Sequence, residues 1–537
     1  MTLVAWSWLF LLLYMLLMLG IGWIGQQKVQ HADDYATARS SYGPVFLAFA
    51  FAATTASGAT FLGGPGLVYE LGLGILWSSI AYPCGVYVGV LICMKLVATA
   101  GNRFGNRSIP EFLGDRFQSD GIRLLVACIS LVLCFYLAGQ LVSGLVMFEL
   151  MLGLEPVWAI SITAAVLLGY VLLGGAHADI MTDGIQGFMM LLVACLVVGM
   201  AATGAGVPGG AAEAWKRLGT ADANLVSLFN PTDPRTDSAW AIVFVFFSHI
   251  PLGLLPHLGN KLWALKSLDQ RKTFIRLAFV VALSLAMLSV GGFLTRAIVG
   301  GALLQDGANP NAALPQLFIS VFPTWLAALL GVGVLAAVMS TADGLVVSSS
   351  QIIANDLYRR TVAPRFSPHM DAATLDRRVL HISRWSTLGF LLGCTILAWY
   401  LQTTNIAMIV MIAIGGSASA YAGPLVLGTL WKGVTRAGAY AGILVGFLAF
   451  FVLHTRILNP DWFPRGVISD VVAWLDYQGP NPFACATLGE AASVVATVGV
   501  SLFTCPLPED HVRLLFDPAE THASQGAESQ SPDFSDS

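Results

Sequence analysis

Long apolar runs alternate with short polar segments along almost the whole chain. A helix needs roughly 20 apolar residues to cross a bilayer. The pattern predicts thirteen such helices, near 3–25, 44–69, 73–99, 122–152, 156–174, 184–204, 239–260, 274–302, 323–355, 384–402, 405–430, 438–456 and 486–507. We therefore expect an all-α polytopic membrane protein. Residues 1–507 would form the membrane domain, and the polar residues 508–537 a disordered cytoplasmic tail.

The second run, 44–69, is long enough to span a bilayer but is badly suited to an uninterrupted helix. Hydroxyl-bearing residues, glycines and a proline crowd its second half: Thr54, Thr55, Ser57, Gly58, Thr60, Gly63, Gly64, Pro65 and Gly66. Proline lacks a donor and glycine is costly in helices, so we predict a helix broken within 53–58. A break at membrane depth marks a binding site as a hypothesis. A packing face of small residues is the alternative.

A second interrupted run lies five helices later, over 239–260. Two prolines and a glycine fall between Pro251 and Pro256, just after Ser248 and His249. Five helices per unit invert the topology, so the two breaks predict an inverted repeat of five plus five helices, each unit starting on a broken helix. A simple proline kink is the alternative. The expected order is one extra N-terminal helix, the two repeats and two C-terminal helices: 3–25, 44–204, 239–430 and 438–507.

Composition agrees with a membrane protein and narrows its function. Of 537 residues, 56% are hydrophobic and 11% charged, against about 25% charged in soluble domains. A net charge of −4 without a basic cluster gives no reason to expect nucleic acid. The eight cysteines suggest no disulfide framework. Metal-ligand spacing, a phosphate loop and a nucleophile with a base are all missing from the sequence, which argues against an enzyme and against a bound cofactor.

Lysine and arginine are unevenly distributed between alternate loops. With the N-terminus outside, 21 of the 27 fall in cytoplasmic segments, as the positive-inside rule requires. We therefore expect a multi-pass protein of the cell (inner) membrane, with the N-terminus outside and the C-terminus cytoplasmic. The loops 205–238 and 457–485 would then be exterior, with room for short surface helices. We expect no lysine or arginine at midplane depth.

The run at 323–355 carries a candidate cation site. Ala337, Ser340 and Thr341 are spaced i, i+3 and i+4, so they share one helical face. Two hydroxyl oxygens and a carbonyl then converge, opposite the carbonyls that the break at 53–58 would free. Neutral oxygen ligands suit a small hard cation that must also be released, and Na+ fits. Hydroxyls that bond back to their own helix are the alternative.

Two acidic residues and two histidines within the apolar runs also attract attention. An ionisable residue inside a span is functional by default, and Asp343 and Asp183 are such residues. Asp343 has the alternative of lying at a cytoplasmic helix end, where water reaches it. Asp183 has the alternative of capping a helix start. His249 and His257 either bind substrate, carry a proton or are simply hydrogen-bonded.

Several motifs together resemble the sodium:solute symporter family. They occur in order along 1–507 and are Phe61-Leu-Gly-Gly-Pro-Gly66, Ile109-Pro-Glu-Phe112, Gly174-Gly175, Thr182-Asp183-x-x-Gln186-Gly187, Pro256-His257, Ala337-Val-Met-Ser340-Thr341-Ala-Asp343, Asp356-Leu-Tyr358 and Gly423-Pro-Leu-Val-Leu-Gly428. The resemblance implies a leucine-transporter-type fold, alternating access, and import of a small organic solute driven by Na+. The protein would be a monomer or a weak oligomer in the lipid bilayer.

The resemblance also implies a set of binding residues. The family's main sodium site would use the carbonyls of Ala53, Ala56 and Ala337 and the hydroxyls of Ser340 and Thr341. Some members hold a second ion with two further hydroxyls and an aspartate. Those positions are Asp343, Gly344 and Asp183 here, so the loss of both hydroxyls puts the second site in doubt.

The resemblance says less about the solute. Proline-transporting members have two aromatic residues before the Pro-His pair and an aspartate on the first broken helix, where this chain has Ser248, Leu252 and Thr55. The glycine-rich and Leu-Pro-His stretches look more like the sodium/pantothenate and monocarboxylate branch, so we expect a monocarboxylate such as pantothenate. The residues expected to line the site are Thr54, Thr55, Ser57, Trp77, Tyr136, Gln140, Ser248 and His249.

Four other functions remain open from the sequence. The chain could be an amino-acid (proline-like) or sugar symporter that uses Na+. It could be a transporter-like sensor without net transport, although the short tail argues against a signalling domain. A passive channel would show flux indifferent to Na+, and a proton-driven carrier would respond to a pH gradient instead.

Overall fold

The protein is described by a computed structural model that covers residues 1–28, 36–305 and 308–516. Within these ranges the regular elements are helices. The first half contains α1 (Leu3–Gln26), α2 (Pro44–Thr55), α3 (Gly64–Leu71), α4 (Leu76–Phe104), α5 (Ile109–Arg116), α6 (Asp120–Ser130), α7 (Cys134–Leu152), α8 (Pro156–Thr203) and α9 (Gly210–Ala221). π-Helical turns at Ala59–Gly63, Ile352–Val362 and Ala422–Leu427 extend α3, α15 and α18.

The second half contains fourteen further helices and, like the first, includes a bent pair. They are α10 (Ala239–Ser248), α11 (Pro256–Gly259), α12 (Arg271–Ala286), α13 (Val290–Val299), α14 (Ala313–Val321), α15 (Thr324–Gln351), α16 (Ala363–Phe366), α17 (Ala372–Leu401), α18 (Ile406–Tyr421), α19 (Gly428–Leu430), α20 (Arg436–His454), α21 (Val467–Gln478), α22 (Pro482–Leu502) and α23 (Glu509–Phe516).

Every predicted span falls on a helix or on a bent pair of helices. Among the described residues, nine helical segments are long and apolar enough to cross a bilayer, or eleven if each bent pair is one span. The other two predicted spans are a shorter apolar helix, Pro156–Leu168, and part of α17. The chain is therefore an all-helical polytopic membrane protein, and the bounds of the two repeats stay a prediction.

Both predicted breaks are present. Pro44–Thr55 and Ala59–Leu71 meet at 61°, and Ala239–Leu254 and Pro256–Ala264 meet at 54°. The simple-kink alternative is wrong for the second break, because Leu255 adopts an extended conformation between the two pieces. The first broken helix is wrapped by protein, since α2 packs against α8, α12 and α15.

One span boundary differs from the prediction. Helix α8 continues through both predicted spans with a kink at Gly175, whose φ of 69° lies in the region that favours glycine. The second part of α8 therefore starts near Gly175 and not at 184. Asp183 lies about two turns inside a helix, so the capping interpretation of Asp183 is wrong.

The C-terminal tail also differs. Residues 509–516 form α23, in which Leu515 is buried, and the Phe516 ring lies 5.1 Å from the guanidinium of Arg116. The prediction of disorder from 508 onward is therefore wrong for this segment. Its helix is amphipathic and packs its apolar side against an apolar and cationic surface of the helical bundle. The rest of the predicted tail, 517–537, lies outside the described residues.

The two long loops predicted to be exterior do contain surface helices, α9 and α21. The loops touch each other near the start of α10. Tyr477 donates a hydrogen bond of 2.9 Å to Asp237, and Asn481 donates one of 2.9 Å to the carbonyl of Pro234. These contacts join the two loops next to the start of the second bent pair.

Candidate functional site

The first break reroutes the hydrogen bonds of the backbone. Ala56 leaves the helical region with φ −89° and ψ 84°. In a continuous helix the N–H groups of Gly58 and Ala59 would donate to carbonyls one turn earlier. Instead Gly58 donates to Oε1 of Gln140 at 3.0 Å, and Ala59 donates to its neighbour Ser57 at 3.1 Å. The carbonyls at the end of α2 are therefore released for other partners.

The hydroxyls predicted on α15 reach these released carbonyls. Ser340 Oγ donates to the carbonyl of Ala53 at 3.1 Å, and it also lies 3.3 Å from the carbonyl of Ala337 on its own helix. Thr341 Oγ1 donates to the carbonyl of Thr54 at 3.0 Å. Because Thr341 bonds across to α2, back-bonding within α15 does not account for it. We call Ser340, Thr341 and these three carbonyls the hydroxyl–carbonyl cluster.

Ala56, the fifth predicted sodium ligand, lies at the break itself and is fully buried. The hydroxyl–carbonyl cluster is likewise completely buried, with Ala53, Ala337, Ser340 and Thr341 all 0% exposed. The oxygen atoms that it brings together are uncharged.

A buried lysine lies beside this cluster, within the second bent pair of helices. Lys261 follows α11 in the second bent pair and is 3% exposed. Its ammonium lies 2.9 Å from Oδ2 of Asp179 and 2.6 Å from Oγ1 of Thr54, and it is hydrogen-bonded to Oδ2 of Asp183. Sequence reasoning placed Lys261 in a cytoplasmic loop because the predicted span stopped at 260, whereas the second bent pair continues to Ala264.

The two aspartates that bind this lysine lie close to a third one, Asp343. One carboxylate oxygen each from Asp179, Asp183 and Asp343 lies within 4.8 Å of the others. Asp343 is 2% exposed, so the alternative of a water-exposed helix end is wrong for it. We call the three aspartates and Lys261 the Asp–Lys cluster. Thr54 joins it to the hydroxyl–carbonyl cluster, since its side chain contacts one and its carbonyl the other.

A cavity of about 80 Å³ lies on the opposite side of the first break, with room for roughly five to eight water molecules. The described residues that line it are uncharged. They are Thr55, Ser57, Ala59, Thr60, Gly64, Leu67, Ser78, Ser79, Tyr82, Tyr136, Val245, His249, Leu252, Ser289, Ala407, Val410, Met411, Ile414 and Phe483. Hydroxyls from the broken helix and from α4 thus face an apolar wall from α10, α18 and α22.

Four of the eight residues predicted to line the substrate site are in this cavity: Thr55, Ser57, Tyr136 and His249. The structure places the other four elsewhere. Thr54 faces the Asp–Lys cluster, and Gln140 caps the second half of the broken helix. Ser248 bonds to its neighbour His249 and to the carbonyl of Val245.

Trp77, the remaining one, is partly buried and precedes the two lining serines Ser78 and Ser79. Sequence reasoning missed these serines because it chose the large aromatic residue over two small polar ones. The adjacent pair of hydroxyls in an apolar run was the signal that was available. Tyr82, one helical turn further along, also lines the cavity and was not predicted.

Comparison with known proteins identifies the family. The model of the sodium:solute symporter family matches residues 35–446, which is most of the chain. The chain belongs to the sodium:solute symporter family. It is therefore a sodium-coupled solute symporter, a membrane transport protein and not an enzyme. The resemblance carried by the sequence motifs is confirmed.

Two relatives with different named solutes show how much the family membership says about the solute of this chain. The high-affinity proline transporter PutP of Bacillus subtilis is 28% identical over 443 residues, which is 80% of this chain and 88% of that protein. The sodium/pantothenate symporter of Escherichia coli is also 28% identical, over 484 residues, which is 88% of this chain and 95% of that protein. Equal identity to the two does not separate their named solutes.

Two solved structures share the fold. A Na+-coupled sialic acid symporter in a substrate-bound outward-open state superposes with a TM-score of 0.72 at 18% identity, covering 94% of this chain and 99% of that one. Mhp1, a nucleobase-cation-symport-1 family transporter, gives a TM-score of 0.50 at 13% identity, covering 90% and 98%. The predicted leucine-transporter-type architecture is thus confirmed at the level of the fold.

Proposed function

We propose that this symporter imports a small monocarboxylate such as pantothenate, and that the driving Na+ binds at the hydroxyl–carbonyl cluster together with the carbonyl of Ala56. The observation that carries the proposal is the meeting of Ser340 and Thr341 with the carbonyls released by the break, at 3.0 to 3.1 Å. We also propose the orientation given by the positive-inside rule, with the N-terminus outside a cell (inner) membrane.

The sodium assignment follows from what these oxygens can do. Each hydroxyl now satisfies a buried carbonyl by donating its proton. Rotation of the O–H group would turn both lone pairs toward an ion held between the same oxygens. Neutral ligands bind Na+ weakly enough for release on the other side. One Na+ moving inward through 100 mV releases about 2.3 kcal/mol, enough for some forty-fold accumulation of solute.

The cavity supports a small solute with one anionic end. Ala59 and Thr60 begin the second half of the broken helix and line the cavity, so the positive end of that helix faces it. Thr55, Ser57 and the serines of α4 add hydroxyls near that end. A carboxylate would be met by these dipoles and by the nearby Na+, without a charged side chain. The apolar wall suits the uncharged remainder of such a molecule.

Proline is the second candidate, and the equal identity to the B. subtilis proline transporter favours keeping it. The position four residues before Pro256 is Leu252, which lines the cavity. The resemblance associates an aromatic residue there with proline transport, and a leucine leaves the cavity wider at this point. We therefore place the monocarboxylate first.

Uptake into proteoliposomes tests both parts of the proposal. Labelled pantothenate, short monocarboxylates and proline are supplied with and without an inward Na+ gradient, to the wild type and to Ser340→Ala/Thr341→Ala. We expect Na+-dependent uptake of a monocarboxylate. In the double variant, half-maximal uptake should need at least roughly ten times more Na+, because two ligands worth about 1 kcal/mol each are lost.

Ser350→Ala is the matched control, since Ser350 is a buried hydroxyl further along the same segment that bonds only one turn back, to Val347, and to Ser383. It should keep the Na+ dependence of the wild type. Na+-dependent uptake that the double variant leaves untouched would refute the ligand assignment. Uptake of proline alone would refute the monocarboxylate, and uptake driven by a pH gradient without Na+ would refute sodium coupling. Binding without uptake would indicate a sensor.

A further inference from the structure

The Asp–Lys cluster contains one cation built into the chain. The ammonium of Lys261 is held by oxygens of Asp179, Asp183 and Thr54, from α8 and α2, in the way a small ion would be. All three of these residues are at least nine-tenths buried, as is Asp343. Buried carboxylates require a compensating positive charge, and here a side chain supplies it.

The cluster also contains more carboxyl groups than ammonium groups, and some carboxylate oxygens accept no hydrogen bond. The ammonium binds two members of a group of three carboxyls, and Oδ1 of Asp179 and Oδ1 of Asp183 accept no hydrogen bond within the described structure. A cavity of about 20 Å³, enough for roughly one or two waters, is lined by Asp179, His257 and Lys261. A water molecule would therefore have space beside the ammonium.

The position of the ammonium matters because of Thr54. Its hydroxyl lies 2.6 Å from Lys261 Nζ, and its carbonyl accepts the hydrogen bond of Thr341. Through Thr54, the ammonium thus lies next to the proposed sodium site, which is formed in part by the first broken helix. A second free cation at the carboxylates of Asp179 and Asp183 would have to displace it.

We propose that Lys261 is a tethered cation that fills a second cation position, so that the wild type couples one Na+ to each solute molecule. Removal of the ammonium would open the three carboxylates to a second Na+. This inference rests on the proposed sodium coupling, and it assigns Lys261 the role of setting the ion stoichiometry. Lysine is suited to this because its ammonium is a compact point charge on a long flexible stem.

The test counts Na+ ions in the wild type, Lys261→Met, Lys261→Gln and Lys261→Arg. The ratio of ²²Na+ to labelled solute flux is measured in proteoliposomes, and ²²Na+ binding is counted by equilibrium dialysis of the purified protein. We expect a Hill coefficient for Na+ of about one in the wild type and about two in the neutral variants. At limiting Na+, a ten-fold dilution should then lower uptake about ten-fold and about a hundred-fold respectively.

Lys261→Arg keeps the positive charge and should bind one Na+. Lys266→Met, which removes an exposed lysine nearby, is the matched control and should also bind one. If Lys261→Met does not fold, Lys261→Gln serves as the neutral variant, because it keeps a hydrogen-bond donor in the cluster. Equilibrium dialysis counts bound Na+ even in a variant that does not transport.

Two Na+ ions in the wild type would overturn the inference whatever the variants do. A folded neutral variant that still binds one Na+ would overturn it as well. These outcomes differ from failure of the proposed function, in which wild-type uptake is independent of Na+ or the loss of Ser340 and Thr341 hydroxyls leaves the Na+ dependence intact.

Discussion

The same substitution at the adjacent residues Thr54 and Thr55 should change different properties of the protein, stability at Thr54 and transport at Thr55. Thr54→Val and Thr55→Val each replace a buried hydroxyl with a methyl group of similar size. Thr54 faces the Asp–Lys cluster, and Thr55 lines the cavity. We expect Thr54→Val to lower the free energy of unfolding while Thr55→Val raises the KM for solute.

The magnitude follows from the partners of each hydroxyl. Thr54 Oγ1 accepts from Lys261 Nζ at 2.6 Å and has Oδ2 of Asp183 at 2.6 Å and the carbonyl of Ala50 at 3.0 Å as acceptors. Hydrogen bonds to charged groups are each worth about 1.5–3 kcal/mol. Lys261 still contacts two carboxylates in the variant. We therefore expect the free energy of unfolding to fall by about 2–3 kcal/mol, which is less than the sum of the two hydrogen bonds that Thr54 makes to Lys261 and Asp183.

Thr55 Oγ1 bonds to the carbonyl of Phe51 in its own helix at 2.8 Å. A neutral bond of this kind contributes about 0.5–1.5 kcal/mol, and the added methyl group offsets part of the loss. Stability should therefore change by less than about 1 kcal/mol. Loss of a polar group that faces the solute should raise the KM by roughly five- to ten-fold.

Chemical denaturation of the purified protein and initial uptake rates measure the two effects. A double-mutant cycle of Thr54→Val with Lys261→Met should give a coupling energy of at least about 1 kcal/mol, because the two groups share a hydrogen bond. Equal loss of stability in both threonine variants would refute the reasoning. A raised solute KM in Thr54→Val with an unchanged one in Thr55→Val would refute the side-chain directions.

Two further predictions concern other parts of the structure. Gln140→Leu should lower the free energy of unfolding by about 1–3 kcal/mol, because the buried N–H of Gly58 loses its acceptor; a changed solute KM at unchanged stability would instead make Gln140 a solute ligand. In the loop before α10, burial of Asp233 opposes ionisation, but hydrogen bonds and charge from Arg235 outweigh it and lower the pKa of the carboxyl. The stabilisation of up to about 1 kcal/mol is therefore present at neutral pH and lost as pH falls below about 4; Asp233→Asn should remove this acid dependence, and an equally steep loss in the variant would contradict the ion pair.

The sequence by itself determined the elements and their interruptions. Apolar runs of bilayer length have few alternatives to helices in lipid, because every backbone polar group must be satisfied within the segment. Proline and glycine act on the backbone locally, so the breaks near Ala56 and Leu255 could be located without knowing any partner. The face shared by Ser340 and Thr341 follows from helical periodicity alone.

Only the tertiary structure decided which partner each side chain meets. The directions of Thr54 and Thr55 depend on how α2 lies against α8 and α15. Lys261 joins Asp183 across 78 positions of sequence, and Thr341 meets Thr54 across 287. Spacing within one helix carries no information on such distant contacts. Packing around the first break therefore decides which buried charges compensate each other and which residues face the solute.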